Sequence, residues 1–349
     1  MGTLSWNPTD GSKLGINLET FILEGMLVTP GASGSFTSLL NQITVAAKLI
    51  TARVRRAGFA DTLGYTGDTN VQGEKVEKLD IIANETLLAS LRRRGHCAGL
   101  ASEELDDPVF FPNSTGNYLV VVDPLDGSSN IDVDISIGTI FGIMRCDRSK
   151  GPLTVESFLR KGSELVAAGY VIYGSSTVLV FTTGRGVHGF TWDPTAGEFF
   201  LSHENIRCPA RGTYYSINEG YSRRWTRGVA DWAAYLKETD EKDGRPYSHR
   251  YVGSLVADAH RTLLKGGIFA YPADVKSPTG KLRLLYEANP FAFVFEAAGG
   301  KATTGRQRIL DLTPTALHQR VPLILGSASD VDTFLHFVEN DAEYMVKKG

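Results

Sequence analysis

Seven consecutive residues, Asp123-Pro124-Leu125-Asp126-Gly127-Ser128-Ser129, follow directly on the apolar run Tyr118–Val122. Two carboxylates across a proline-containing turn can face one hard cation, which prefers oxygen ligands, with the Leu125 carbonyl exposed beside them. Gly127 lets the chain turn closely, and the amides and hydroxyls of Gly127, Ser128 and Ser129 can receive a phosphate. Such a group of residues could hold a divalent metal against a phosphate ester. A surface Asp-Pro-x-Asp-Gly turn would look the same, so the rest of the chain must decide.

Two further acidic features point the same way. Ser102-Glu103-Glu104 closes an apolar stretch, and adjacent carboxylates repel unless solvent or a cation separates them. Glu287 follows Leu282, Leu284, Leu285 and Tyr286 and precedes Asn289-Pro290, on a segment expected to be a helix facing mostly core, where an acid needs a partner.

The elements that must position these groups are legible in outline. Phe36–Arg56 carries apolar residues at helical spacing, with Ser33 or Ser35 as a cap and Gly58 as a stop, and Leu79–Arg93 reads as a second helix. Between them, Asp61–Lys75 is a polar stretch without period. Short β-type runs follow at Tyr118–Asp123, Ile137–Met144, Val166–Tyr173 and Thr177–Thr183. Gly184–Arg211 reads as a loop and a domain boundary. The second half alternates helices and strands: Tyr214–Asn218, Gly228–Lys237, Ser254–Lys265, Gly267–Tyr271, Leu282–Ala298, Leu323–Leu325 and Val331–Asn340. Mixed runs of this kind imply α/β layers. The expected division is an arm over 1–30, a metal-binding and allosteric domain over 31–203, and a sugar-phosphate-binding domain over 204–349.

Composition excludes some classes of partner. With 36 basic against 39 acidic side chains and a net charge of −3, no global basic field invites nucleic acid or an anionic membrane. No apolar run approaches membrane-spanning length, the start lacks signal-peptide order, and a cytoplasmic protein is expected. Cys97, Cys146 and Cys208 form no paired motif and read as reduced thiols. The scattered histidines, among them His188, His203, His260 and His318, form no metal-spaced pair. Arg92-Arg93-Arg94 and Arg223-Arg224 read as solvated charge.

Several blocks together resemble the fructose-1,6-bisphosphatase family. They are Asn70–Lys75 with Lys78-Leu79-Asp80, Ser102-Glu103-Glu104, Asp123–Ile143, Asn218-Glu219-Gly220-Tyr221, Arg250–Ser254 and Gly280–Glu287. The Asp-Pro-x-Asp-Gly-Ser piece alone is shared with inositol monophosphatases and other lithium-sensitive phosphatases, whereas the later blocks are specific to the bisphosphatase. The resemblance runs from about residue 33 to 340.

The resemblance implies an α/β, layered α-β-α-β-α sandwich with the active site between its two halves. It implies hydrolysis of the 1-phosphate of fructose 1,6-bisphosphate, in gluconeogenesis or Calvin-type carbon metabolism. Glu103, Asp123, Asp126, Glu287 and the Leu125 carbonyl would hold two Mg²⁺ ions, Mn²⁺ or Zn²⁺ being substitutes, with Glu74 able to serve a third. Asp80 and Glu104 would position and deprotonate the attacking water. The 1-phosphate would meet Gly127, Ser128, Ser129 and Arg283, and the sugar Asp126 and Leu255. The 6-phosphate would meet Asn218, Tyr221, Tyr251, Tyr271 and Lys281, with Arg250 supplied across a subunit interface of a homotetramer. AMP, as inhibitor, would bind Ser33, Gly34, Ser35, Phe36 and Thr37 at a helix N-terminus, joined by Tyr118 and Arg145. Asn117 stands where the family's pattern has a lysine, which removes one positive charge from that site. The cysteine-bearing insert of chloroplast members is absent around residues 150–165, so a thiol switch is not expected.

Rival readings make different demands. Sedoheptulose 1,7-bisphosphate shares the ketose head and stays open as an alternative or second substrate. A smaller monophosphate would need no distal basic pocket. A sensor that had lost catalysis would show a broken acidic set, and no proposed ligand is replaced by a neutral residue.

Overall fold

A computed structural model describes residues 15–27, 34–57, 65–69, 75–112 and 114–344. In chain order the helices are α1 (Leu18–Leu27), α2 (Ser35–Val54), α3 (Lys78–Arg92), α4 (Arg227–Lys237), α5 (Leu255–Lys265), α6 (Asn289–Ala297) and α7 (Ala328–Glu339). The strands are β1 (Tyr65–Thr69), β2 (Lys75–Glu77), β3 (Cys97–Ser102), β4 (Val109–Phe110), β5 (Tyr118–Asp126), β6 (Ile137–Arg145), β7 (Leu165–Tyr173), β8 (Thr177–Thr182) and β9 (Val187–Asp193). They continue with β10 (Glu198–His203), β11 (Tyr214–Ser216), β12 (Ser248–His249), β13 (Ile268–Tyr271), β14 (Leu282–Arg283), β15 (Lys301–Thr303), β16 (Arg320–Val321) and β17 (Leu323–Gly326).

Two sheets carry the fold. The larger has eight strands in the order β10-β9-β8-β7-β6-β5-β3-β4, and the smaller has five in the order β12-β11-β13-β17-β15. Only the β3–β5 pair of the larger sheet is parallel; its other neighbours are antiparallel hairpin partners.

The side chains sort into three cores that define five layers. One face of the larger sheet (Val120, Val122, Phe141, Val171) meets α1, α2 and α3 through Leu18, Ile22, Leu40, Ile43, Leu79 and Leu87. The opposite face (Leu119, Val121, Ile140, Tyr170) meets α5 and α6, which the smaller sheet covers in turn through Phe269, Leu323 and Leu325. The far side of the smaller sheet, with Ile268 and Ile324, packs on α4 and α7 through Trp232, Phe334 and Val338. The order is helices, sheet, helices, sheet, helices, the expected α-β-α-β-α sandwich.

The layering explains local sequence. α6 is apolar around most of its circumference because sheets lie on both sides, and Phe291, Ala292, Val294 and Phe295 are fully buried. The first five residues of β5, Tyr118–Val122, read as an unbroken apolar run because both faces are covered, and every residue of the strand is buried.

Three expectations are corrected. The lead-in expected as an arm contains α1, whose Leu18 and Ile22 are buried in the outer core beside β10. The Gly184–Arg211 segment is not a loop throughout: β9 and β10 form an antiparallel hairpin within it that ends the larger sheet. Leu282–Ala298 is not one helix. β14 leads into a π-turn over Leu284–Ala288, and only then does α6 begin, with Pro290 in its first turn.

Candidate active site

β5 delivers Asp123 and Asp126. Residues three apart on a regular strand point to opposite faces, because side chains alternate with period two. The pairing with β6 steps from Asp123↔Ile140 to Asp126↔Gly138, so β5 carries one extra residue between them. This bulge falls at Pro124, which has no N–H to give the ladder, and Thr139 donates to the Pro124 carbonyl at 2.8 Å. The inserted residue turns both carboxylates to one side. Leu125 N–H donates to Asp123 Oδ1 at 3.0 Å and fixes the turn.

Glu287 arrives from the π-turn, a rare conformation that is frequent at functional sites. Carboxylate oxygens of Asp123, Asp126 and Glu287 all lie within 4.8 Å of one another, and all three residues are buried. Glu103, at the end of β3, is buried beside them, its amide donating to Val122 O at 3.0 Å. Arg283 is the nearby cation. It donates to Glu103 at 2.8 Å and reaches Glu287 at 4.0 Å, while its own amide donates to Glu287. The guanidinium thus reaches two of the four clustered carboxylates, those of Glu103 and Glu287.

The electrostatic result is a set of acids held above their ordinary range. Burial, then the charges of Glu103, Asp126 and Glu287, push Asp123 well up. Burial and the charge of Glu103 raise Glu287, which Arg283 only partly opposes. Asp126 is raised to about 6 by burial, against hydrogen bonds from Val256, Ser254 and Leu255 that favour its anion. Three buried carboxylates converging at this distance are repulsive unless protonated or bridged by a cation, and their all-oxygen character suits a hard divalent ion. The residues fit such an ion.

Sequence reasoning did not find what holds Asp126. Its Oδ2 accepts from Ser254 Oγ at 3.0 Å and from Val256 N–H at 2.8 Å, so this carboxylate sits at the N-terminus of α5, where free amides favour an anion. Gly127 has φ 78°, and a Cβ there would meet Ser254 Cβ and Oγ at 3.0 Å. The Ser254 cap, directly after Gly253 and before an apolar helix, was the available signal.

Asp80 lies buried in the first turn of α3. One turn on, Asn84 accepts from Ser102 Oγ at 2.8 Å, and the Glu104 amide donates to the same hydroxyl at 3.3 Å. These bonds tie α3 to the turn that bears Glu103 and the half-buried Glu104. Ser128 and Ser129 open a short 3-10 turn just beyond Gly127. Glu74 and Ser33 lie outside the described residues.

A second constellation is built from the smaller sheet and its loops. Lys281 Nζ lies 4.7 Å from the centroid of the Tyr221 ring and 5.7 Å from that of Tyr271. Tyr251, whose phenol burial pushes up, is hydrogen-bonded to Asn218. Asp258, fully buried in α5, accepts from the amides of Val252 and Gly253 and from Arg261, which holds the Arg250–Ser254 loop in place. Leu255 begins α5 and is buried. Arg250 is not brought into this group: it is exposed, and its Nη1 donates to the His249 carbonyl at 2.8 Å.

The remaining expected residues sit at the other end of β5, roughly 25 Å from Asp126 along eight residues of strand. Tyr118 and Arg145 are cross-strand partners, Phe36 lies 6.0 Å from Tyr118 ring to ring, and the Arg145 guanidinium lies 5.9 Å from the Tyr118 ring. Gly34, left-handed at φ 75°, precedes the first turn of α2 with no side-chain cap, ahead of Ser35 and the buried Thr37.

Residues 16–204 match the model "Fructose-1-6-bisphosphatase, N-terminal domain" and residues 208–339 match "Fructose-1-6-bisphosphatase, C-terminal domain". A class 1 fructose-1,6-bisphosphatase of Sorangium cellulosum is 66% identical over 97% of this chain and 98% of its own length. The class 1 enzyme of Chloroherpeton thalassium is 56% identical over 90% of this chain and 91% of its own. Among solved structures, Leishmania major fructose-1,6-bisphosphatase in holo form superposes with a TM-score of 0.88 at 42% identity, covering 93% of this chain and 99% of that one.

Proposed function

The chain belongs to the fructose-1,6-bisphosphatase family, and from that premise we propose that it removes the 1-phosphate of fructose 1,6-bisphosphate at the Asp123–Asp126–Glu287 centre, in a Mg²⁺-dependent reaction. That it is a phosphoric monoester hydrolase of carbohydrate metabolism, with the divalent-metal requirement of the family, follows from membership itself. The convergence of three buried carboxylates within 4.8 Å is the observation that carries the rest.

Asp123, Asp126, Glu287, Glu103 and the Leu125 carbonyl would hold the ions. When bound, divalent ions supply Lewis acidity to the phosphoryl and leaving oxygens and lower the pKa of water. Gly127, Ser128 and Ser129 present amides and hydroxyls to the 1-phosphate from the turn that follows. Arg283, placed between Glu103 and Glu287, would offer its planar pair of donors to oxygens of the 1-phosphate. Asp80 and Glu104, joined through the Asn84–Ser102 hydrogen bond, hold and deprotonate the water that attacks phosphorus in line with the leaving oxygen.

Asn218, Tyr221, Tyr251, Tyr271 and Lys281 grip the 6-phosphate, and the exposed Arg250 is offered to the pocket of a neighbouring copy in a homotetramer. This distal group supports a bisphosphate over a monophosphate substrate. AMP inhibits from the far end of β5, its phosphate at the uncapped start of α2 and its base near Tyr118 and Arg145. A cytoplasmic location completes the reading.

Phosphate release with and without Mg²⁺ tests the centre. Release that survives Asp123→Ala or Glu104→Gln at undiminished rate would falsify the mechanism. An unchanged rate across saturating AMP would remove the allosteric part alone.

A further inference from the structure

Arg223-Arg224 reads from sequence as a solvated pair, and the structure separates its members. Arg223 is exposed. Arg224 is half-buried at the end of the 3-10 turn Glu219–Arg224, with its guanidinium carbon 4.3 Å from the centroid of the Tyr221 ring. Lys281 stands 4.7 Å from the same ring. Two cations thus share one aromatic ring, and neither has a carboxylate within ion-pairing distance among the described residues.

Cations on an aromatic face gain from the ring quadrupole, but two of them on one ring repel each other. A structure that holds them there leaves a site of net positive charge. The nearest acid of the neighbouring loop does not neutralise it: Asp274 is buried, and its Oδ1 accepts from the amides of Lys276 and Ser277 at 2.8 and 2.7 Å. The loop is also what fixes Arg224, because Val275 N–H donates to the Arg224 carbonyl at 3.2 Å. Arg224 is therefore a placed group beside Tyr221, Tyr271 and Lys281.

From this arrangement we infer that Arg224 is a specificity-determining residue of the distal pocket, a second cation beside Lys281 that receives the substrate's far phosphate. The inference rests on the distal-pocket reading given above. A phosphate monoester carries close to two negative charges near neutral pH, and within one copy of the chain Lys281 alone would leave roughly one of them to a neighbour's Arg250. A guanidinium adds a planar pair of donors that fits phosphate oxygens. An Arg224 that only positioned Tyr221 would also spare fructose 1-phosphate, so the charge-keeping and charge-removing variants and the salt dependence of KM separate a phosphate contact from a stack.

The test compares fructose 1,6-bisphosphate with fructose 1-phosphate, which lacks the far phosphate, in Arg224→Ala, Arg224→Lys, Arg224→Gln and Lys281→Ala. Arg224→Ala is expected to raise KM for the bisphosphate about tenfold, the loss of one charge-assisted contact. Its kcat should stay within about twofold, and its kcat/KM on fructose 1-phosphate should not change. Arg224→Lys should recover part of the loss, and Arg224→Gln, which keeps the side chain's bulk, should not. The dependence of KM on salt should flatten in both neutral variants. Equal losses on both substrates, or an unchanged KM in Arg224→Ala and Arg224→Gln, would overturn the inference. If Lys281→Ala is also silent on the bisphosphate, the distal-pocket reading itself fails. If Lys281→Ala raises KM and the Arg224 variants do not, only Arg224's role is refuted.

Discussion

Replacing Asp123 by asparagine should stabilise the metal-free protein while removing its activity. The carboxylate oxygens of Asp123, Asp126 and Glu287 lie within 4.8 Å of one another in a buried setting. At an effective dielectric of about 20, two unit charges at that distance repel by roughly 3 kcal/mol, and Asp123 faces two such neighbours. Proton uptake relieves much of this in the absence of metal, so the net gain on neutralising Asp123 is about 1–3 kcal/mol. Asparagine keeps the acceptor that Leu125 N–H uses at 3.0 Å, so the turn retains its internal bond. In chelator, the variant should melt roughly 1–4 °C above the parent. Added Mg²⁺ should raise the melting temperature of the parent and leave the variant nearly unmoved. Its kcat/KM should fall by about 10²–10³-fold or more, as when a principal electrostatic group is lost. Melting scans in chelator and in Mg²⁺, read beside phosphate release, give all three quantities. A variant that melts lower in chelator and still responds fully to Mg²⁺ would refute the claim that these acids form a metal-dependent repulsive cluster.

Other outcomes follow from individual contacts. Gly127→Ala places a Cβ 3.0 Å from Ser254 Cβ and Oγ at a left-handed φ of 78°, so it should destabilise by about 1–3 kcal/mol and lower kcat by loosening Asp126 from α5. Ser254→Ala removes both the α5 cap and one hydrogen bond to Asp126; a loss of about 1–2 kcal/mol in urea unfolding is expected. His260, half-buried against Tyr170 with its Nδ1 2.8 Å from the phenol oxygen and facing His203, is lowered to about 4, first by burial. The unfolded state takes up this proton near pH 6.5 and the folded state only near 4, so His260 costs stability as pH falls across that window, by up to about 3 kcal/mol. His260→Gln should flatten that acid limb in melting scans, and an identical limb in parent and variant would contradict the assignment.

The parts of this molecule written locally were legible in its sequence. The unbroken apolar run of β5 announces a strand covered on both faces, and the helical spacing of α2 and the acid-rich turn after Val122 are equally local. The grouping of Asp80, Glu103, Asp123, Asp126 and Glu287 was reached through resemblance to a family rather than through periodicity. What escaped depends on distant partners. The clamp on Asp126 comes from Ser254 and Val256, 128 and 130 residues away. The bulge at Pro124 that turns two carboxylates to one side is a property of pairing with β6. The β9–β10 hairpin hid behind Asp193-Pro194 and Gly197, which punctuate like a loop but close a tight turn between two paired strands. Arg224 was indistinguishable from Arg223 until the fold set one of them on Tyr221.

The central claim is that the buried acidic turn, bridged by divalent cations, cleaves phosphate from carbon 1 while a distal pocket holds the other phosphate. Following the products from fructose 1,6-bisphosphate by phosphorus NMR, in Mg²⁺ and in excess chelator, tests it most directly. The expected result is inorganic phosphate and fructose 6-phosphate in equal amounts with Mg²⁺, and no turnover in chelator. Turnover that persists in chelator, or fructose 1-phosphate as the product, would contradict it.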